Sequence, residues 1–351
     1  MKKSINTNVI LFLGNKWFGT DCRMIMDAFR RKGYAVIEVD PYDYFPLRWD
    51  GLILKIIRRI FKPFMLDNYN KAVLAFNNKD ISFVVTNKGV MLQDTTIEKF
   101  KNKGTPVYCI YPDVSFTNQP PEIEKAIKSY NCIFTTKSFH LNDDFVKKNI
   151  NNIQLVRHGY DPNVNRPLNL NLGIDSSYKC DISFVGAWSR KKDEVMTILA
   201  NKFPYEKIMI WGPGWERGSK TVLELWQGRA ARGDELNIVY ISSKINMGIL
   251  SEAVDNTGHG DLVTTRTWMI PSTGSFILHE KTHELAEYFL LDDEMAVYND
   301  YEDLINKVSY YLGHDDQRLA IAKKTYQRCV ESGYTYDYTV STIVKYHKDF
   351  S

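Results

Sequence analysis

Residues that could hold either a metal ion or a phosphate are concentrated between Thr264 and Phe289. The stretch reads TTRTWMIPSTGSFILHEKTHELAEYF and places His279 and His283 in the H-E-x-x-H spacing of zinc proteases. That spacing binds zinc when both imidazoles lie on one face of a helix. Here His279 follows SFIL, an apolar run typical of a buried strand, and Thr282 suits the N-cap of the next helix. The two imidazoles would then straddle a strand–helix turn, so we expect no zinc site.

This stretch and the loop just before it have the components of a phosphate site. Gly260 lies in a loop of small residues, TGHGDLVTT, and Thr264 or Thr265 can cap a short helix that carries Arg266 in its first turn. Free N–H groups and the positive end of the dipole favour phosphate at a helix start, and a guanidinium binds two phosphate oxygens. Gly274 suits the left-handed residue that ends such a helix. A packed helix with a surface arginine is the alternative that spacing alone leaves open.

The elements that position these residues follow from short apolar runs that alternate with helical periods. Continuous runs of Val, Ile and Phe are typical of parallel strands buried on both faces, and the alternation indicates doubly wound parallel sheets. In the first half we predict strands at 9–13, 35–39, 81–86, 107–111, 132–135 and 153–156, and helices near 21–32, 52–61, 95–103, 121–129 and 143–148. In the second half we predict strands at 181–185, 207–211, 237–240, 245–249 and 275–278, and helices at 192–200, 221–231, 265–270, 284–289, 301–312, 317–331 and 334–347.

The chain of 351 residues is longer than single hydrophobic cores usually become, so we expect two domains. A loop-like stretch rich in Asn, Pro, Gly and Asp, 158–179, separates the two halves. We predict a Rossmann-like N-terminal domain over 1–160 and a Rossmann-like C-terminal domain over 161–333, with a last helix over 334–351 that packs back on the first domain. Two such α/β domains leave an interdomain cleft at the carboxyl ends of their strands, which is the default ligand site.

Composition excludes several other classes of protein. The net charge of +3 is too small for a nucleic-acid-binding face. Five scattered cysteines without a C-x-x-C motif form neither a disulfide framework nor a zinc cluster, and they favour a reducing cytoplasm. No window approaches the roughly 18 uncharged apolar residues that a membrane span needs. We therefore expect a cytoplasmic protein without a nucleic-acid partner.

Several motifs, in their order along the chain, resemble those of GT-B glycosyltransferases of the group-1 type, in the branch of CgeB-like spore-maturation proteins. RTWMIPSTGSFIL is similar to the family signature R-x-F-E-I-P-A-C-G-G-F-L-L, and the accompanying segments are VILFLGNKWFGTD, CIYPDVSF, CIFTTKSF, VRHGYDPNVNRP, CDISFVGAWSRKK, IMIWGPGW, SSKINMGI and the closing helices. The resemblance covers most of the chain, best after Val156. It implies metal-independent transfer of a sugar from a nucleotide-diphosphate donor on the C-terminal domain. The acceptor, a saccharide or a lipid-linked glycan, would bind the N-terminal domain.

The predicted donor site consists of residues in loops that follow strands. Arg190 with a neighbouring lysine, together with Arg266, would neutralise charge on the leaving diphosphate, and Trp215 could stack on a nucleobase. Simpler interpretations remain open: a solvated helix start for Arg190, structural pairing for Lys244 and loop packing for Trp215. The predicted donor-binding residues are Gly14, Gly186, Arg190, Lys191, Gly212, Trp215, Lys244, Gly260, Thr265 and Arg266.

The predicted catalytic residues are Asp113, His158, Arg190 and Arg266. Asp113 ends a predicted strand and could act as general base if the reaction inverts the anomeric centre, although a loop-capping aspartate is the simpler alternative. His158 lies in the linker and could contact the donor sugar, but a lone histidine is more often structural. The resemblance to group-1 enzymes favours retention.

Two departures from the family pattern leave other functions open. Met269 stands where the family has a glutamate that contacts the donor ribose, and a thioether is only a weak acceptor. Ser275 replaces the second glycine of the signature. A catalytically inactive scaffold is therefore an alternative, and a sugar-nucleotide epimerase of the same fold is a further one. An NAD-dependent dehydrogenase is disfavoured because the G-x-G-x-x-G fingerprint is absent.

The segment 52–64, LILKIIRRIFKPF, has the pattern of a helix that lies on an anionic membrane. Its basic residues Lys55, Arg58, Arg59 and Lys62 repeat at i, i+3, i+4 and i+7, and the remaining positions are mostly Leu, Ile and Phe. The alternative is a core-packed helix whose solvent-facing stripe is basic.

Overall fold

The computed structural model describes residues 8–45, 52–168, 175–253 and 258–350. The chain divides into two compact units, one formed by residues 1–157 with 339–351 and the other by 158–338. Residues 169–174 of the predicted linker lie outside the described residues.

The first unit is built on a six-stranded parallel sheet. Its strands are β1 (Val9–Leu13), β2 (Ala35–Val39), β3 (Phe83–Asn87), β4 (Val107–Tyr111), β5 (Cys132–Thr135) and β6 (Ile153–Leu155). Its first five helices are α1 (Asp21–Arg31), α2 (Leu52–Leu74), α3 (Asp94–Lys101), α4 (Pro121–Ala126) and α5 (Asp144–Asn149). The strands pair in the order β2-β1-β3-β4-β5-β6. Every predicted element of this half is confirmed with small shifts at its ends, except that α2 continues well beyond the predicted end at 61.

The strands of the first unit are buried on both faces, which explains their continuous apolar runs. Leu11, Val84 and Ile133 point to one face of the sheet and belong to the main core of the unit. Their neighbours in sequence, including Phe12 and Phe134, are fully buried on the other face.

The second unit has a five-stranded parallel sheet. Its strands are β7 (Cys180–Val185), β8 (Ile208–Trp211), β9 (Ser243–Gly248), β10 (Ile277–Glu280) and β11 (Ala296–Tyr298). The helices of this part of the chain are α6 (Arg190–Lys202), α7 (Lys220–Leu225), α8 (Asp234–Ile241), α9 (Arg266–Ser272), α10 (Tyr301–Gly313), α11 (Asp315–Glu331) and α12 (Tyr336–Phe350). The strand order is β11-β10-β9-β7-β8.

Several predictions for the second unit are wrong. The predicted strand 237–240 lies within α8, because a short run of β-branched and aromatic residues fits a buried helix as well as a strand. The predicted helix 221–231 ends at Leu225, and the predicted helix 284–289 is a 3₁₀ turn over Glu284–Glu287. Strand β11 is missing from the prediction because it has only three residues.

Helix α12 begins in the second unit and continues into the first, where its later residues pack on the sheet. The ring centroid of Tyr346 lies 5.5 Å from that of Phe134 and 5.9 Å from that of Tyr108. His347 lies 4.5 Å from the ring of Phe83, and its Nδ1 is 3.1 Å from the hydroxyl of Tyr108. These aromatic contacts cover part of one face of the first sheet. Within the described ranges, no helix combines the length and apolar character needed to cross a bilayer.

Candidate functional site

Two glycines bring together the loops that follow β7 and β8. A Cβ atom on Gly186 would lie 2.7 Å from Nη1 of Arg266, and one on Gly212 would lie 1.9 Å from the carbonyl oxygen of Gly186. Gly212 also has a φ of +141°, which other residues rarely adopt. Side chains are excluded at both positions, so the backbone itself lines this edge of the sheet.

Arg266, the first residue of α9, ties two strand ends together. Its Nη2 donates to the carbonyl of Ile249 over 2.7 Å and its Nη1 donates to the carbonyl of Val185 over 3.3 Å. The guanidinium carbon lies 5.0 Å from the ring centroid of Phe184. Burial lowers the pKa of Arg266, but an arginine stays protonated at neutral pH. Within the described part of the chain it forms no ion pair with a carboxylate, and its Nε is buried without a hydrogen-bond partner.

Lys192 supplies a second buried cation at the same edge. Its side chain is only 5% exposed, and its Nζ donates to Ser251 Oγ over 3.0 Å and to the Ala187 carbonyl over 3.3 Å. Burial, with a further contribution from Arg266, lowers the pKa of Lys192 to about 8. It forms no ion pair among the described residues. The amino group is therefore mostly charged at neutral pH and close to titrating.

Two glutamates partly compensate the positive charge of this cluster. Glu280, at the end of β10, forms an ion pair with Lys191 and accepts a hydrogen bond from the backbone N–H of Leu250 over 3.1 Å. Glu252 accepts a hydrogen bond from Ser189 Oγ over 2.6 Å. Burial acts to raise the pKa of Glu252, but the bond from Ser189 and nearby charges lower it on balance. Both carboxyl groups thus lie near the start of α6.

The remaining predicted residues of this edge are placed as follows. Arg190, the first residue of α6, is exposed and forms no hydrogen bond or ion pair within the described ranges. A Cβ on Gly260 would lie 2.6 Å from the carbonyl of Ser251, so the loop before α9 passes directly over the loop after β9. Thr265 precedes α9 but does not cap the helix through its side chain. The hydroxyl of Thr264 is buried without a hydrogen-bond partner, so the predicted side-chain cap is not formed. Gly274 has the expected left-handed φ of +77°.

Lys244 does not belong to this cluster. It is the second residue of β9, whereas Ile249, which accepts from Arg266, follows the last residue of that strand. Its ammonium lies 2.7 Å from a carboxylate oxygen of Asp181, near the start of β7. The structure thus places Lys244 at the amino edge of the parallel sheet, opposite the edge at which doubly wound folds bind ligands.

Trp215 is not available for stacking on a nucleobase. Its side chain is fully buried in the core of the second unit, its Nε1 donates to the carbonyl of Gly186 over 2.8 Å, and its ring packs on Phe184. It therefore holds the loop after β7 in place from the core side. Trp188, in that loop, is half-buried instead, and the guanidinium carbon of Arg217 lies 4.6 Å from its ring.

The two histidines of the H-E-x-x-H spacing do not share a helix. His279 is buried on β10, where its Nε2 is 2.9 Å from Thr267 Oγ1 and its Nδ1 is 2.6 Å from the carbonyl of Glu280. Burial lowers the pKa of His279 to about 4, so the imidazole is neutral. His283 lies beyond the strand, after Thr282, whose Oγ1 accepts from the N–H of Leu285 as an N-cap does. No group of three or more metal-binding side chains occurs among the residues described.

In the first unit, polar residues surround a cavity at the carboxyl ends of β1 to β4. The cavity has a volume of about 260 Å³, and its lining includes Gly14, Asn15, Asp21, Tyr42, Asn87 and Lys88. Lys88 adopts a left-handed φ of 64° and forms an ion pair with Asp113, which also accepts a hydrogen bond from Gln119 Nε2 over 3.0 Å. Strained backbone of this kind is often found beside binding sites. His158 is buried at the start of the second unit.

The sequence did not identify three charged residues at the carboxyl edge of the second unit's sheet: Lys192, Glu252 and Glu280. Glu280 stood within the zinc-like motif, but its ion pair with Lys191 joins residues far apart in the chain. Lys192 directly follows Arg190 and Lys191, and helical periodicity is the signal that could have identified it. The third residue of the RKKDEVMTIL helix lies on the same face as the buried Val195, Met196 and Leu199.

Comparison with known proteins supports the interpretation of the second unit. Residues 190–345 match the family model described as "Glycosyl transferase-like". No curated protein matches the chain by sequence.

Solved structures resemble the whole chain at low sequence identity. Sucrose-phosphate synthase from Thermosynechococcus elongatus is 12% identical, with coverage of 97% of this chain and 98% of that one, and a TM-score of 0.64. A glycosyltransferase from Rickettsia africae is 13% identical, with 98% coverage of both chains and a TM-score of 0.62. The Anabaena protein Alr3699/HepE, solved in complex with UDP-glucose, is 10% identical, with coverage of 96% and 99% and a TM-score of 0.64. The two parallel α/β units therefore form a GT-B fold, and the match to the glycosyl transferase-like family model lies in residues 190–345.

Proposed function

We propose that this protein transfers a sugar from a nucleotide-diphosphate donor, and that the donor's diphosphate binds at the carboxyl edge of β7 and β9. The observation that carries the proposal is the pair of buried cations, Arg266 and Lys192, for which no carboxylate ion pair occurs among the described residues. Burying unpaired charge is unfavourable unless a counter-ion binds. The glycosyl transferase-like domain begins at Arg190, the start of the helix that carries Lys192, and extends across Arg266.

In this proposal the chain's own groups neutralise the leaving diphosphate. Arg190 and the first N–H groups of α6 face the phosphate oxygens, because the start of a helix favours anions. Lys192 and Arg266 stabilise the charge that develops as the bond to the sugar breaks, in a poorly hydrated site where such interactions are strong. Gly186 and Gly212 permit the backbone to approach the ligand. We propose that this reaction needs no divalent cation.

We further propose that the acceptor binds the cavity of the first unit, next to Asp113. Amide, hydroxyl and carboxylate groups line that cavity, and Asn87 has a buried Oδ1 without a hydrogen-bond partner. Such groups suit the hydroxyls of a saccharide. Asp113 would serve as general base only if the reaction inverts the anomeric centre. We retain the prediction that His158 contacts the donor sugar.

Met269 favours an inactive scaffold as the second candidate function. Its side chain is only 4% exposed within α9, where the resembling family has a ribose-binding glutamate. If turnover needs that contact with the ribose, the protein would bind the nucleotide without transferring the sugar.

An epimerase is the third candidate. A putative UDP-N-acetylglucosamine 2-epimerase from Listeria monocytogenes is among the structures of similar fold, with 11% identity and a TM-score of 0.53. An epimerase would convert the donor with no acceptor present.

The proposal is tested by measuring binding and turnover of UDP, GDP, ADP, CMP and their sugars with the full chain. We expect one nucleoside diphosphate to raise the melting temperature, because a ligand of the folded state stabilises it. We expect Arg190→Ala to weaken its affinity roughly tenfold through the loss of a charge-assisted bond, without changing the melting temperature of the free protein. Release of the diphosphate in the presence of a chelator and a saccharide acceptor would support metal-independent transfer.

Lys244→Ala is the matched control, because it removes a cation from the opposite edge of the same sheet and should leave nucleotide affinity unchanged. The proposal fails if no nucleotide binds, or if Arg190→Ala and Lys244→Ala weaken binding equally. Binding without any turnover would favour the scaffold, and donor conversion without acceptor would favour the epimerase.

A further inference from the structure

The N-terminal half of α2 exposes its apolar side chains to solvent. Ile56, Ile60, Phe61 and Phe64 are each more than half exposed, and Ile60 is 68% exposed. Residues 56, 60 and 64 are spaced by four and therefore lie on one side of the helix, with Phe61 next to them. We call these four side chains the α2 stripe. Large apolar residues that gather on an exposed surface typically mark an interaction site.

The C-terminal half of the same helix is packed in the ordinary way. Met65, Leu66, Tyr69 and Val73 are buried in the core of the first unit, and Asn70 donates to the carbonyls of Leu66 and Met91. This half anchors the helix on the unit. The alternative predicted from sequence for 52–64, a core-packed helix with a basic solvent face, does not fit the part of α2 whose apolar side chains are exposed.

The charge of this segment identifies the partner that the α2 stripe fits. Between Leu52 and Leu66 the sequence contains Lys55, Arg58, Arg59 and Lys62 and no acidic residue. Arg59 is exposed beside the stripe, while Lys62 lies 2.7 Å from Glu122. The side chains of Lys55 and Arg58 are not among those that the structure describes. The segment as a whole is strongly cationic, so its partner should be anionic.

We propose that the α2 stripe inserts into the surface of a bilayer that contains anionic phospholipids. The apolar side chains would enter the boundary between headgroups and acyl chains, and the basic residues would contact the lipid phosphates. A symmetrical dimer would set the same patch of two copies face to face, and repulsion between the two cationic segments disfavours that arrangement. The inference is independent of the proposed glycosyl transfer, because none of its residues lies in the donor site or the acceptor cavity.

The test is co-sedimentation of the full-length protein with phosphatidylcholine vesicles, with and without phosphatidylglycerol. We expect wild type to sediment with the anionic vesicles. Ile60→Glu should bind them at least about tenfold more weakly, because a charge replaces an apolar side chain that would enter the bilayer. We expect Arg59→Gln to weaken binding about fivefold, through the loss of one contact between a cation and the surface.

Leu319→Glu is the matched control, since Leu319 is 65% exposed on α11 and lies outside the stripe. It should bind anionic vesicles as wild type does, and circular dichroism should show all variants folded. The proposal is wrong if wild type ignores both kinds of vesicle or if Leu319→Glu loses as much binding as Ile60→Glu. A dimer in light scattering that Ile60→Glu dissociates, without lipid binding, would assign the stripe to a second copy instead.

Discussion

Lys192 and its neighbour Lys191 differ in surroundings although they are adjacent in sequence. The ammonium of Lys191 forms an ion pair with Glu280, while that of Lys192 is buried beside Arg266 with only neutral acceptors in hydrogen-bond range. Burial lowers the pKa of Lys192 because desolvation disfavours its charged form, and the charge of Arg266 lowers it further. The prediction from sequence named Lys191, and the structure adds Lys192 as the group whose charge responds to pH.

Diphosphate binding should therefore weaken as the pH rises through the pKa of Lys192, which is about 8 in the free protein. Below that pH the ammonium is charged and attracts the ligand, and above it the neutral amine does not. The phosphates of a nucleoside diphosphate have already lost their protons by pH 7, so they do not contribute to the change. We expect the affinity measured by calorimetry to fall roughly tenfold between pH 7 and pH 9.

Lys192→Met provides the comparison, because it keeps most of the side-chain volume and removes the titrating group. Its affinity should be lower at pH 7 and nearly constant up to pH 9. Parallel pH profiles for wild type and Lys192→Met would refute the assignment of this lysine.

Helix α9 and strand β10 are joined by a hydrogen bond between Thr267 and His279, and this contact replaces the zinc site that the letters HEKTH suggest. His279 is held neutral by burial, with a pKa of about 4, whereas an exposed histidine titrates near 6.5. The unfolded chain therefore takes up a proton first as the pH falls. The contribution of neutral His279 to the free energy of unfolding is fully present above about pH 6.5, and it is lost progressively as the pH falls towards 4.

We expect His279 to contribute roughly 2–3 kcal/mol to the loss of unfolding free energy between pH 7 and pH 4.5. Urea unfolding at several pH values, with wild type and His279→Gln, measures this contribution. The variant should be less stable at pH 7 but lose less stability on acidification. An equal loss in both proteins would show that carboxylates alone cause the acid sensitivity.

Helices α2 and α8 show where local patterns fail. The run NIVY of α8 has strong β propensity, yet it forms a helix because Leu236, Val239 and Tyr240 are buried against the rest of the second unit. In α2 the sequence pattern identifies an amphipathic helix correctly. It does not decide which of the two faces is covered, because that depends on residues distant in sequence.

Over the whole chain, the last helix begins in the second unit and ends in the first. Residues 339–351 belong to the first unit although residues 158–338 intervene, so the first unit is completed only when the end of the chain has folded onto it. Tyr346 packs against Phe134 and Tyr108 on a face of the sheet that would otherwise expose aromatic rings.

Tyr346→Ala should therefore destabilise the first unit by about 2 kcal/mol, since it removes a large, partly buried ring from an aromatic cluster. Phe350→Ala is the control from the same helix, because Phe350 is 73% exposed, and its effect should stay within about 0.5 kcal/mol. Urea unfolding monitored by fluorescence measures both. Equal effects of the two substitutions would mean that α12 contributes little to the first unit.

The amino-acid sequence by itself determined the two parallel sheets and the position of nearly every strand, because buried parallel strands impose a continuous apolar run on the local sequence. It also determined the order of motifs from which the GT-B fold was predicted. Only the tertiary structure decided that Lys192 joins Arg266, that Lys244 pairs with Asp181 at the opposite edge, that Trp215 is core and that the α2 stripe is exposed. Strand periodicity is a property of neighbouring residues. The burial and pairing of one side chain depend instead on atoms contributed by remote parts of the chain.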